Sequence, residues 1–184
     1  MTLAAQKAAA RAAGFARRKL AFESVHLAQA GYLAQVLAGH RGVPVSGYMP
    51  MRTEIDPLTA MAEAAAHGPV GVPVIIAKGQ PLQFALWKPD CAMIEGSFKA
   101  LVPAELAWMI PQILIVPLVA FDSQGGRLGY GGGFYDRTLA GLRARGSVMA
   151  IGFAFAEQRD DALPLEPTDQ PLDLIVTQHG IITP

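Results

Sequence analysis

Glycines crowd the segment from Gly125 to Gly133, inside 121-FDSQGGRLGYGGGFYDR-137. Glycine lets backbone N–H groups approach an anion closely, and the N-terminus of a following helix favours negative charge. Arg127 adds a planar guanidinium suited to phosphate. The segment lacks the lysine and Ser/Thr that close a Walker A loop, and it lacks the G-x-G-x-x-G spacing of a dinucleotide fingerprint. On residue types alone it is a phosphate-binding loop of unassigned class, or a glycine loop with no ligand. Arg127 is expected on the loop surface, so its truncation would harm turnover far more than folding. Asp136, in the first turn of the next helix, complements the helix dipole. It equally suits a magnesium ion, which takes one or two carboxylates plus phosphate oxygens. Asp173, at the start of the last expected strand, is the candidate second carboxylate.

Charge is unevenly spread. Residues 1–22 carry Lys7, Arg11, Arg17, Arg18 and Lys19 and no acid, whereas residues 157–173 carry six acids against Arg159 alone. On a helix, Lys7, Arg11 and Arg18 fall within about 40° of one another, opposite a face of alanines. The i, i+4 spacing of Lys7 and Arg11 lets both reach one anion. The acidic stretch suits a cation, and either stretch also reads as solvated surface. Arg17 and Lys19 read as solvated. The histidines at 26, 40, 67 and 179 show no ligand spacing. Trp87 reads as a core or edge aromatic, with stacking on a flat ring as its other reading.

These residues need positioning elements. The pattern predicts a helix over 3–22 and a second over 25–38, ended by Gly39. A strand over 43–49 follows. Asp56-Pro57 then starts a helix running to about Ala66. Strands are expected at 72–77 and 83–87, with a short helix near 104–108. The near-continuous apolar run 113–120 suits the centre of a parallel sheet. A helix over 134–145, a strand over 148–154, a long loop over 157–171 and a strand over 172–177 complete the chain. Strands alternating with helices predict an α/β three-layer sandwich with a mostly parallel sheet, formed by residues 1–184 as a single domain.

The 184 residues are 52% apolar and 16% charged, which excludes a disordered chain. No apolar run reaches the roughly 18 residues of a membrane span. Fifteen basic and fifteen acidic side chains balance, which argues against a nucleic-acid coat. Cys91 is the only cysteine, so no intrachain disulfide forms, and a reducing, cytoplasmic setting fits. The basic, alanine-rich start also looks somewhat like a transit peptide, but it has few hydroxyl residues.

The run GRLGYGGGFYDR, preceded by VPLVAFD, resembles the 5-formyltetrahydrofolate cyclo-ligase family, also called methenyltetrahydrofolate synthetases. The resemblance extends over nearly the whole chain. Lys7 and Arg11 match a K-x-x-x-R element, 48-YMPMRTEIDPL-58 matches an element with a glutamate, and PLDLIVTQHGI matches the family's ending. The resemblance implies the fold shared by sugar-phosphate isomerases and CoA transferases. It implies ATP- and Mg2+-dependent conversion of 5-formyltetrahydrofolate to 5,10-methenyltetrahydrofolate, through phosphorylation of the formyl oxygen. Lys7, Arg11, Arg127, Leu128, Gly129, Gly131, Gly132, Gly133 and Tyr135 would bind ATP, with Arg127 catalytic. Glu54, Tyr130 and Phe134 would bind folate, and Asp136 and Asp173 would hold magnesium. The implied partners are these small molecules, with no nucleic acid and no membrane, on a monomer or weak dimer. Phe134 stands where many members have tyrosine, and 96-GSFKALVPAEL-106 lacks the family's frequent E-P step. The alternatives are a catalytically silent nucleotide- or folate-binding module and a sugar-phosphate isomerase of similar fold.

Overall fold

The computed structural model describes residues 1–24 and 29–184. Helix α1 spans Leu3–Ser24. The expected second helix falls partly on residues 25–28, and so does His26; these lie outside the described residues. Its described part is α2, Gly31–Ala38, and α3 is Leu58–Ala65. The Asp56 carboxylate accepts the Leu58 N–H at 2.8 Å, so this acid does tie down the start of α3. Helix α4 is Phe134–Arg143.

An eight-stranded sheet forms the middle of the molecule. In chain order its strands are β1 (Val45–Ser46), β2 (Val70–Val74), β3 (Gln83–Leu86), β6 (Trp108–Met109), β7 (Ile113–Pro117), β10 (Met149–Phe153), β11 (Leu174–Thr177) and β12 (Gly180–Ile182). Across the sheet they run β12-β11-β10-β7-β1-β2-β3-β6. From β11 to β2 every neighbour is parallel, while β12, β3 and β6 join antiparallel. Two small hairpins, β4–β5 (Met93–Glu95, Leu101–Pro103) and β8–β9 (Ala120–Phe121, Arg127–Leu128), stand outside it.

Successive residues of the central strands serve opposite layers, as the period of two requires. Ile113, Ile115, Ile151, Phe153 and Val176 pack with Leu33, Leu37, Ala60 and Met61 of α2 and α3. Leu114, Val116, Ala150 and Ile175 pack with Leu139 and Leu142 of α4. Trp87 is buried in the first of these clusters, as a core aromatic.

Three expectations change. The strand expected over 113–120 breaks after Pro117, because the chain turns out of the sheet into β8. No helix forms near 104–108. The segment runs extended between β5 and β6, where Ala107 accepts the Leu86 N–H and extends the β3 edge. The loop expected over 157–171 begins with a 3-10 turn, Ala156–Gln158. Buried Gln158 there donates to the Leu118 and Val119 carbonyls and braces the exit from β7.

Helix α1 lies against β8 through Gly14. A Cβ there would stand 2.9 Å from the Val119 carbonyl oxygen. Gly14→Ala should therefore destabilise the fold by about 1–3 kcal/mol, the cost of overpacking, despite a helix-propensity gain of about 1 kcal/mol. Chemical denaturation measures this, and a more stable variant would show that α1 is free to stand off.

Candidate active site

The sheet order reverses between β1 and β7. From β1 the chain proceeds to β2 on one side, and from β7 to β10 on the other. Ligands of open α/β sheets bind outside the carboxyl ends of strands at such a switch point. A cavity of about 560 Å³ lies there, with Tyr48 and Met49 just after β1, Pro73 in β2 and Ile75 just after it, and Pro117 closing β7.

The glycine loop forms one wall. Asp122 Oδ1 accepts the Gln124 and Gly126 N–H groups and closes the β8–β9 turn, where Gly125 takes a positive φ of 86°. This turn sends Arg127 back along the hairpin, buried at 4% exposure rather than out on a surface loop. Its Nη2 donates to Asp136 Oδ1 at 2.7 Å, and its buried Nε has no partner. The expected surface position of Arg127 is therefore corrected, and with it the ground for expecting little effect on folding. Gly133, at φ 64°, opens α4 in a left-handed conformation. Leu128, Gly129, Gly131, Gly132 and Gly133 all line the cavity. Tyr135 lines it too, with a buried hydroxyl that has no partner. Burial and the nearby Glu54 charge push that phenol far above its ordinary pKa.

Helix α1 supplies the cations. Arg11 Nε donates to the Gly129 carbonyl at 2.9 Å, and Lys7 Nζ donates to Glu166 at 2.9 Å and Asp169 at 2.8 Å. Burial alone would lower the Lys7 pKa. The two carboxylates outweigh it, and the net shift is upward. The cation that the acidic stretch suits is thus Lys7 of this same chain. Arg17 is also not simply solvated, since it pairs with Asp160 at 3.1 Å.

Opposite stands Glu54. The turn Met51–Glu54, with Arg52 at a φ of 57°, folds Glu54 back so that its Oε2 accepts the Met51 N–H at 2.8 Å. Its Oε1 accepts the Tyr130 hydroxyl at 3.0 Å. Burial raises the Glu54 pKa, opposed by the Met51 and Tyr130 hydrogen bonds and by the Arg18 and Arg52 charges. Phe134 lines the cavity and meets Phe98 edge-on, with ring centroids 6.2 Å apart.

Thirteen of the fourteen residues marked out by the sequence line this one cavity; Asp173 does not. Asp173 Oδ2 accepts the Ala150 N–H at 2.7 Å and pairs with Arg143 at 2.8 Å. Asp136 fits a cation better. Its Oδ1 takes Arg127 and the Gln170 N–H, and its Oδ2 hydrogen-bonds to no described residue. Among the described residues no group of three or more His, Cys, Asp or Glu is arranged for a metal, so a cation here would lean on a ligand's own oxygens. Sequence reasoning missed Glu166, Asp169 and Phe98 as cavity residues and Arg18 as a buried partner of Tyr130. The shared helix face of Arg18 with Lys7 and Arg11 was the signal for Arg18.

The 5-formyltetrahydrofolate cyclo-ligase family model matches residues 4–178. The chain belongs to this family. A cyclo-ligase from Haemophilus influenzae is 42% identical over 101 residues, 52% of this chain and 54% of that protein. One from Escherichia coli K12 is 49% identical over 69 residues, 38% of this chain and 37% of that protein. The chain thus spans about half or less of the length of these curated cyclo-ligases. Another, from Mycolicibacterium smegmatis, is 28% identical over 196 residues, 96% of each chain. The solved 5,10-methenyltetrahydrofolate synthetase of Aquifex aeolicus shares the fold, at TM-score 0.70 and 23% identity over 100% of this chain and 93% of that one.

Two outcomes follow for this cyclo-ligase family site. Arg127→Ala should lose about 3 kcal/mol of stability, because it strands Asp136 and opens a void. Urea denaturation checks it, and a loss below about 1 kcal/mol would mean the ion pair is not structural. A raised Glu54 pKa means that the folded state holds more protons than the unfolded one above the ordinary glutamate value of 4.5. Glu54 therefore takes stability away as pH rises through its folded pKa. The stability of Glu54→Gln relative to wild type should improve as pH climbs through that window. A difference independent of pH would contradict the shift.

Proposed function

We propose that this chain catalyses the ATP-dependent closure of 5-formyltetrahydrofolate to 5,10-methenyltetrahydrofolate, releasing ADP and phosphate. The observation that supports it best is convergence. Lys7, Arg11 and Arg127, which suit a triphosphate, share one cavity with Glu54, Tyr130 and Phe134, which suit a polar heteroaromatic ligand.

In this reading Lys7, Arg11, Tyr135 and the backbone from Leu128 to Gly133 hold ATP. Lys7 reaches phosphate by sharing itself between its carboxylates and the nucleotide. Glu54 and Tyr130 hydrogen-bond the folate, and Phe134 packs on it without the hydroxyl of a tyrosine. The formyl oxygen attacks the γ-phosphorus as the bond to ADP breaks. N10 then attacks the formyl carbon, its proton leaves with the departing phosphate, and the carbon–oxygen bond to phosphate breaks. Arg127 is the catalytic residue, a fixed charge beside the moving phosphoryl group; such transfers depend mainly on positioning and electrostatics. Magnesium, when bound, would neutralise phosphate charge, with Asp136 as its protein carboxylate. Asp173 is left as a structural residue.

The reading takes residues 1–184 as one domain of the type shared with sugar-phosphate isomerases and CoA transferases, supported by the helix-flanked parallel strands. It takes the protein as cytoplasmic, monomeric or weakly dimeric, and bound to neither nucleic acid nor membrane. Among the described residues no helix is long and apolar enough to cross a membrane.

The test is absorbance of the methenyl product with 5-formyltetrahydrofolate, ATP and Mg2+, against a control without ATP. An ATP-dependent rise is expected. Binding of both ligands without a rise would make the chain a silent binding module, and no binding would overturn the reading of the loop.

A further inference from the structure

Arg18 is the most buried cation of α1, at 1% exposure, and none of its atoms lines the cavity. Its hydrogen-bond partners are a cavity-wall residue and the loop that carries Glu54. Its Nη2 donates to the Tyr130 hydroxyl at 2.8 Å, and its Nε donates to Thr53 Oγ1 at 3.1 Å, one residue before Glu54. Its guanidinium carbon lies 5.4 Å from the Tyr130 ring centroid and 5.2 Å from that of Phe15. The nearest carboxylate oxygen to its Nη1 is Glu54 Oε1, at 3.9 Å.

A tyrosine hydroxyl has one proton to give. Here Arg18 occupies the acceptor side of the Tyr130 oxygen, so that proton points to Glu54 Oε1, where it lies 3.0 Å away. Tyr130 is 42% exposed and sits between glycines. Its ring packs on Phe15, with centroids 5.3 Å apart, and its hydroxyl is held by the buried Arg18 guanidinium.

We propose that Arg18 is the positioning residue of the folate side of the cavity: it fixes the Tyr130 hydroxyl as a donor to Glu54 and so presents the Tyr130–Glu54 pair to the folate in one arrangement. The proposal rests on the assignment of this cavity to folate. It separates two jobs along one helix. Lys7 and Arg11 serve the nucleotide directly, while Arg18 serves the folate through Tyr130. Arg11 holds the Gly129 carbonyl by its own bond, which leaves the nucleotide side braced without Arg18.

The experiment compares wild type, Arg18→Met, Arg18→Lys and Tyr130→Phe, with KM for each substrate from the absorbance assay, binding of 5-formyltetrahydrofolate alone by calorimetry, and thermal unfolding. Arg18→Met should weaken folate binding and raise the folate KM by about tenfold or more, the scale of a lost hydrogen bond to a charged group, while the ATP KM moves less than about twofold. Arg18→Lys should recover part of the folate loss, because it restores the charge without the fork. Tyr130→Phe keeps Arg18 in place and should show the same folate-selective loss. Arg18→Lys carries the test, by the same folate-selective loss, if Arg18→Met does not fold. Equal shifts in both KM values, or folate constants unchanged in the Arg18 variants, would overturn the proposal while leaving the functional reading intact. A wild type that binds no 5-formyltetrahydrofolate would overturn the functional reading and this inference with it.

Discussion

Gly14 allows α1 to lie against the Val119 carbonyl, and the rest of the site depends on that approach. The buried residues of this 22-residue helix are Lys7, Gly14, Arg18 and Ala21. Its one packed aromatic is Phe15, half-buried against the Tyr130 ring. Fully burying a leucine or phenylalanine stabilises by roughly 1.5–3 kcal/mol, and no large apolar side chain of α1 is fully buried. What docks it is close backbone packing and charge: Lys7 to Glu166 and Asp169, Arg11 to Gly129, Arg17 to Asp160, Arg18 to Tyr130 and Thr53. Exposed ion pairs contribute little. The contacts that matter are therefore the buried ones, Lys7 and Arg18, and they stand at the two ends of the same cavity-facing side. The cations that α1 brings to the cavity are the same ones that hold the helix in place.

The sheet supplies the fixed frame. Its central strands are buried on both faces, and the chain leaves β7 at the switch point to build the β8–β9 hairpin. Gln158 ties the start of that hairpin to the 3-10 turn after β10, and Phe121 accepts the Asp160 N–H just beyond. The glycine loop is mobile by composition, but each of its ends is clamped: Arg127 in a strand at one end, α4 at the other. That is why glycine can be frequent there without the site losing its shape.

Much of this was legible in the residues. Burial of β7, β10 and β11 on both faces follows the apolar runs, and Lys7, Arg11 and Arg18 share a helix face by arithmetic alone. The glycine loop and Asp136 carry chemistry that their types announce, whereas Glu54 was marked only by the family resemblance. What was hidden was long-range. Arg127 is buried only because the Asp122 turn folds the loop into a hairpin, and an arginine between glycines carries no local mark of burial. Asp173 looks like Asp136 in sequence, but Arg143 and the Ala150 N–H claim it. Strands β4, β5, β6 and β12 are two or three residues long, too short for any periodicity to register.

Buried donors without partners gather on the elements around the site. Among the described residues these are Arg17 Nε, Arg18 Nη1, Arg127 Nε, Tyr135 Oη and Arg137 Nε. They lie on α1, β9 and α4, the elements that surround the cavity, and the hydrophobic sheet core holds none. An unsatisfied buried donor costs roughly 1–3 kcal/mol, more when charged, so a fold tolerates such groups only where something offsets them. Arg127 Nε and the Tyr135 hydroxyl belong to cavity residues, and both groups are donors at neutral pH. Acceptor-rich ligands complement that set, and phosphate oxygens are the densest acceptors available. The same donors would stand idle before an apolar ligand. An anion that met those donors would, by mass action, stabilise the fold that presents them.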